Sequence, residues 1–248
     1  MNAPLAIFDI DGTLCNTVEV DDECFCGVAS ELLQISLGPL SWEGAPHVTD
    51  AGILNWLWRR YRSGAPTEAK VEVFVGRYEA SLARELERAP SRFAATPGAA
   101  PLLGRLRREG WDVAIATGGW GRTARLKLHA ADLPVDLLLA SSDDSQDRVA
   151  VFELAKRRAD VTYRGIHQRV VLVGDGIWDI HVAAHLGWAF LGVGCGERGV
   201  RLRDGGASAV VENFLDGDGV LRLLRERSEV VGQPVEITRL FRPPRESE

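Results

Sequence analysis

Short apolar runs, set between turn residues and amphipathic stretches, form the basic pattern of this chain. Residues 5–10, 113–116, 135–140, 170–173 and 189–193 are nearly continuous in apolar character, and 209–211 is a weaker sixth run. Runs without polar alternation are what strands require when both faces of a sheet are covered. Between them, residues 101–108, 123–131, 149–158 and 179–186 carry helical spacing. The alternation predicts an α/β protein, a doubly wound Rossmann-like parallel sheet.

One long stretch breaks the rhythm. From residue 16 to 92 no strand-like run occurs, whereas Trp56, Leu57 and Tyr61, and again Tyr78, Leu82 and Leu86, fall at helical spacing. Gly38-Pro39, Gly44-Ala45-Pro46, Gly64-Ala65-Pro66 and Pro90-Ser91 punctuate it as turns. The expected organisation is a core of residues 1–15 and 93–228, with a helical domain, 16–92, inserted after the first strand. Residues 229–248, with Pro234, Pro243 and Pro244, read as a loosely packed tail.

Composition narrows the class. Of the 248 residues 46% are hydrophobic and 26% charged, which excludes disordered and fibrous chains. No run approaches the ~18 apolar residues of a spanning helix, so no membrane association is expected. Met1 leads directly into the first apolar run, so no signal peptide is expected either. Thirty-five acids against 29 bases give a net charge of −6, no footprint for gripping nucleic acid. A small phosphorylated metabolite remains compatible, because a metal ion or a few local cations outweigh the mean charge. Cys15, Cys24, Cys26 and Cys195 form no C-x-x-C pair. The chain reads as a reduced, cytoplasmic monomer or homodimer.

Candidate chemistry lies where strands are predicted to end, the edge at which open parallel sheets bind ligands. The first run closes on Phe8-Asp9-Ile10-Asp11-Gly12-Thr13, and strand alternation would send Asp9 and Asp11 to the same side. Two anions on an apolar strand are costly unless a cation or a shared proton compensates. The fourth run delivers Gly174-Asp175-Gly176-Ile177-Trp178-Asp179, so that four carboxylates would converge. Hard oxygen ligands of this kind suit Mg²⁺ better than zinc. The second run ends in Thr117-Gly118-Gly119, where a hydroxyl, backbone amides and a helix N-terminus can hold an anion. A fixed cation should neutralise a transferring phosphoryl group. Arg148, after the third run, is favoured, with Lys127 and Lys156 as competitors.

In this order the motifs resemble those of the haloacid dehalogenase superfamily. The helical insert is similar to the C1-type cap of its phosphoglycolate phosphatase and β-phosphoglucomutase branch. The resemblance implies Asp9 as the nucleophile that forms an aspartyl-phosphate and Asp11 as the acid, then base. It implies Mg²⁺ held by Asp9, the backbone carbonyl of Asp11 and Asp175, with Asp179 as support or a further ligand. Thr117 and the Gly118 amide would bind phosphate oxygens. Arg148 would stabilise their charge where the superfamily usually has lysine, and Lys127 is a second candidate for contacting the substrate. His47 and Thr49 lie in the cap segment that reads the leaving group in C1-capped relatives. The implied activity is hydrolysis of a small phosphomonoester.

The dehalogenase branch has no acid at the position of Asp11, which favours cleavage of a C–O–P linkage. A phosphomutase is the alternative, with Arg59, Arg60 and Arg62 as candidate extra cations. A phosphonatase using Lys70, or a catalytically silent binding protein, ranks lower. Gly194-x-Gly196-x-x-Gly199 fits a dinucleotide fingerprint, but the short, polar, Gly-rich text after it reads as a mobile loop rather than a helix. His181 and His185 lack a third zinc ligand and read as a helix face.

Overall fold

Among the described residues six strands form one all-parallel sheet in the order β3-β2-β1-β4-β5-β6. They are β1 (Leu5–Phe8), β2 (Asp112–Ala116), β3 (Leu138–Ala140), β4 (Val170–Gly174), β5 (Ala189–Val193) and β6 (Val210–Val211). The computed structural model describes residues 3–37 and 45–229. The tail from 230 onward, with Gly38-Pro39 and Gly44, lies outside the described residues. Among those described, no helix is long and apolar enough to cross a membrane.

The strands are apolar on both faces because both faces are covered. Ala6, Phe8, Val113, Ile115, Val171 and Val173 pack under α4 (Ala99–Arg108), α5 (Gly121–Ala130) and α9 (Gly217–Glu229). Their neighbours Leu5, Ile7, Ala114, Ala116 and Leu172 face α6 (Arg148–Thr162), α7 (Ile177–Leu186) and α8 (Gly196–Asp204). A period of two thus splits one apolar run between two cores. The sheet's order reverses between β1 and β4, where parallel sheets open a ligand crevice.

Between β1 and α4 the chain builds α1 (Val18–Leu33), α2 (Asp50–Tyr61), α3 (Glu68–Arg88) and a 3-10 turn, Pro90–Phe93. These helices share an apolar cluster of their own, centred on Phe25, Leu54, Leu57, Phe74, Tyr78 and Leu82. Trp120, which precedes α5, inserts into it. Its ring lies 5.5 Å from Phe74, 6.1 Å from Tyr78 and 6.3 Å from Phe25. Of the two tryptophans on α2 only Trp58 is buried, as their spacing requires.

Two expectations change. The run 135–140 yields only a three-residue strand, since Val135 is exposed and the edge position of β3 needs little cover. The segment after Gly194 is the helix α8, not a loop. Its buried side amounts to little more than Leu202 and Gly199, too few apolar positions to show as a period.

Candidate active site

The chain leaves β1 after Phe8, and a tight turn then places the two acids. The amides of Thr13, Leu14 and Cys15 all donate to the Ile10 carbonyl, at 3.1, 2.9 and 2.9 Å. Gly12 has φ +75°, and a Cβ there would collide with Asp175 Oδ2. Only glycine fits, for backbone and space alike. Asp9 and Asp11 are therefore oriented by a turn and not by strand alternation, and their carboxylates part company.

Asp9 joins Asp175, directly after β4, and Asp179, in the first turn of α7. One oxygen of each lies within 4.8 Å of the others, and all three residues are buried. Two arginines face them. Arg148, the first residue of α6, donates from Nε and Nη2 to Asp179 Oδ1 at 3.1 and 2.8 Å, and Nη2 stands 3.4 Å from Asp9 Oδ2. Its guanidinium lies 5.2 Å from the Phe152 ring and 5.9 Å from that of Trp178. Arg198 of α8 stands 3.3 Å from Asp175 Oδ2; the loop expectation hid this residue.

Three anions against two cations leave the cluster electron-rich. Burial, with Asp179, Asp175 and Asp11 nearby, pushes the Asp9 carboxyl well above its ordinary value, although Arg148 opposes this. Burial and Asp179 push Asp175 up to about 7 against the pull of Arg198 and Arg148. A buried, all-oxygen donor set that holds protons this firmly fits a hard divalent cation. Asp9 and Asp175 are the fitting ligands. Both Asp179 oxygens are engaged, Oδ1 by Arg148 and Oδ2 by the Gly176 amide at 3.1 Å, so Asp179 fits the supporting role.

The Asp11 carboxylate belongs to a second cluster. Its Oδ1 accepts from Thr17 Oγ1 at 2.5 Å and its Oδ2 from Lys127 Nζ at 2.6 Å. Lys127 also donates to Asp21 Oδ1 of α1 at 2.7 Å, and the Tyr78 hydroxyl donates to the same oxygen. The Lys127 side chain is 0% exposed. An ammonium so placed costs several kcal/mol unless paired. Burial pulls its pKa down, but Asp11, Asp21 and Asp50 more than offset this, and the net shift is upward. Lys127 is thus a buried partner of an acid, where the sequence offered it as a rival to Arg148. Lys156 is in neither cluster and pairs with Asp160 at 2.7 Å.

Thr117 is buried at the end of β2, and its Oγ1 accepts from the Gly119 amide at 3.1 Å. Gly118 lies under the insert: a Cβ there would collide with Arg148 Nη1 and meet the Val48 carbonyl at 2.8 Å. The loop before α2 is stitched to the strand ends. Asp50 N donates to Gly118 O at 2.8 Å, Ala51 N to Ser142 Oγ at 2.9 Å, and Arg148 Nη1 to Val48 O at 2.9 Å. Thr49, expected on the substrate side, donates from Oγ1 to Gln146 O at 2.7 Å while capping α2 through Gly52 N at 3.1 Å. His47 is 44% exposed and stands 3.8 Å from Asp147, a contact between insert and core. Lys70 is exposed, 5.1 Å from the Trp58 ring. Arg59, Arg60 and Arg62 are exposed and touch Asn55, Trp56 and Leu33 within the insert.

The sequence matches the haloacid dehalogenase-like hydrolases over residues 4–187. The chain belongs to this family. No curated protein matches it. Among solved structures, this haloacid dehalogenase-like hydrolase is similar to a hydrolase from Pseudomonas syringae, with TM-score 0.68 and 24% identity, covering 91% of this chain and 99% of that one. It is also similar to β-phosphoglucomutase from Clostridium difficile, with TM-score 0.68, 14% identity and coverage of 91% and 98%. A third is a mutant of CbbY from Rhodobacter sphaeroides in complex with xylulose-(1,5)bisphosphate, with TM-score 0.66, 18% identity and coverage of 87% and 98%. At these identities the likeness is one of fold. Asp9, Thr117, Arg148 and Asp175 all stand at the carboxyl edge of this hydrolase's sheet, around the β1–β4 crevice.

Proposed function

We propose that the protein is a Mg²⁺-dependent phosphatase that hydrolyses a small organic phosphomonoester through an aspartyl-phosphate on Asp9. One observation carries this reading: two acids a single residue apart are handed to different clusters. Asp9 sits among Asp175, Asp179 and Arg148, whereas the Asp11 carboxylate is oriented by Thr17 and Lys127. Separate partners leave the two side chains free to take separate roles.

Asp9, Asp175 and the Asp11 backbone carbonyl would hold the cation. Bound Mg²⁺ supplies the screening that lets a carboxylate approach an anionic ester. Thr117 and the Gly118 amide bind the phosphoryl oxygens, and Arg148 spreads its charge over them. Asp9 attacks phosphorus, the ester P–O bond breaks, and Asp11 gives its proton to the departing alkoxide. Asp11 then takes a proton from water as that oxygen displaces Asp9, releasing inorganic phosphate. Residues 16–92 act as a cap on a core of 1–15 and 93–228, and the 48–51 stitches must part for substrate to enter. Arg59, Arg60 and Arg62, with partners inside the insert, give a mutase no added support.

The test is phosphate release from glycolate, sugar and nucleotide phosphates, with and without EDTA. Release that EDTA stops and Mg²⁺ restores is expected; full activity after removal of divalent ions overturns the reading.

The carboxylates also predict a linkage. Folded Asp175 titrates at about 7 against an ordinary 3.8, so between those values the folded state binds more protons than the unfolded chain. Stability of the metal-free protein therefore falls as pH rises through that window. Mg²⁺ replaces those protons, so the rise in Tm on adding it should be roughly 4–8 °C larger at about pH 8 than at about pH 5. Thermal unfolding in EDTA and in Mg²⁺ at both pH values checks this; an equal increment refutes it.

A further inference from the structure

Lys127 occupies the second turn of α5, away from every strand end, yet its ammonium donates to both Asp11 and Asp21. Asp21 and Thr17 both belong to the start of α1, Thr17 as its capping position. Each oxygen of the Asp11 carboxylate is therefore gripped by a group tied to that helix: Oδ1 by Thr17 directly, Oδ2 by Lys127, which Asp21 holds in turn. The Tyr78 hydroxyl of α3 donates to the same Asp21 oxygen and holds it in place. Within this chain of contacts a single ammonium separates two carboxylates that would otherwise repel, and charge-assisted bonds of this kind are about twice as strong as neutral ones.

We propose that Lys127 is a positioning residue that ties the orientation of Asp11 to the docking of helix α1. This rests on the phosphatase reading, in which Asp11 must meet the leaving oxygen. An acid held at both oxygens keeps one rotamer. Without the Lys127 clamp, Asp11 turns about its side-chain bonds, and a displacement of ~1 Å costs on the order of 10²-fold in rate. Since Thr17 and Asp21 both belong to the start of α1, the acid and its lysine are set together only while that helix keeps its place. Insert placement and proton delivery become one event.

The experiment compares wild type with Lys127→Met on an alkyl phosphate and on p-nitrophenyl phosphate, whose leaving group needs no proton. Rapid quench under single-turnover conditions reads the first step, in which the ester bond breaks. For the alkyl ester that step should slow on the order of 10²-fold with substrate affinity little changed, and for the nitrophenyl ester by only a few-fold. Equal losses on both esters overturn the role of Lys127 and leave the phosphatase reading standing. Because Lys127→Met leaves Asp11 and Asp21 face to face, with Asp50 beside them, the double variant Lys127→Met/Asp21→Asn lessens that repulsion, and the same selective loss is expected. A second readout needs no turnover. In a crystal structure of the metal-free double variant the Asp11 carboxylate should have left its position beside Thr17; an unmoved Asp11 overturns the proposal. Wild-type protein inert toward every ester would refute the phosphatase reading, and the position of Asp11 would still decide whether Lys127 holds it.

Discussion

Asp9→Asn is expected to abolish turnover, by on the order of 10⁴-fold or more, while the protein stays folded. The amide keeps the shape of the carboxylate but cannot attack phosphorus, and loss of a nucleophile removes the covalent route as a whole. Stability should not suffer. Burial already holds the Asp9 carboxyl far above its ordinary value, so a neutral group in its place relieves repulsion with Asp175 and Asp179. The Tm of the metal-free variant should match or exceed that of wild type at neutral pH. Acid quenching during turnover of a ³²P-labelled ester should trap a phosphoenzyme in wild type and none in the variant. Label retained by the variant, or near-normal kcat, would refute the covalent mechanism.

What the sequence revealed, and what it hid, follows from the range over which each feature is encoded. The sheet was legible because strands covered on both faces spell themselves as local apolar runs: residues 170–173 become β4 almost without change. Asp9, Thr117 and Asp175 were legible as candidates for the same reason, since each directly follows the strand that such a run forms. Arg148 was harder. Its place after the third run favoured it over Lys127 and Lys156, but only the structure shows its fork placed on Asp179 with the Phe152 and Trp178 rings close by. A fork explains why arginine serves here, since lysine could not reach Asp179, Asp9 and the Val48 carbonyl together.

The Lys127 cluster was not legible at all. Its members are 116 and 106 residues apart in sequence, and on α5 the lysine looks like any charge on a helix. The one available clue was position: Ala124 and Leu128, buried neighbours at three before and one after, place residue 127 toward the inner face. Arg198 was lost for another reason. With two buried positions, α8 has no apolar stripe to announce it. Tertiary contact, not local propensity, makes that helix, and the pairing with Asp175 comes with it.

Asp11→Asn provides the second large effect and separates chemistry from architecture. General acid–base catalysis contributes on the order of 10²–10⁴-fold, and a loss of about that size is expected in kcat for alkyl phosphates. An asparagine at this position can keep its carbonyl oxygen toward Lys127 and turn its amide nitrogen toward the Thr17 hydroxyl, which then accepts where it had donated, so the clusters on both sides persist and Mg²⁺ affinity should stay near wild type. The leaving group decides the outcome. An alkoxide departs only with a proton, whereas p-nitrophenolate departs without one, so the first step should become nearly independent of residue 11 for the nitrophenyl ester. Water must still be deprotonated in the second step, and there the variant remains impaired whatever ester was used. The nitrophenyl ester should therefore give a burst of nitrophenol equal to the enzyme concentration, followed by slow turnover as the aspartyl-phosphate accumulates. Rapid-quench kinetics reads both phases. Equal losses for the two esters and no burst would place the proton transfers on another group and leave Asp11 a structural partner of Lys127.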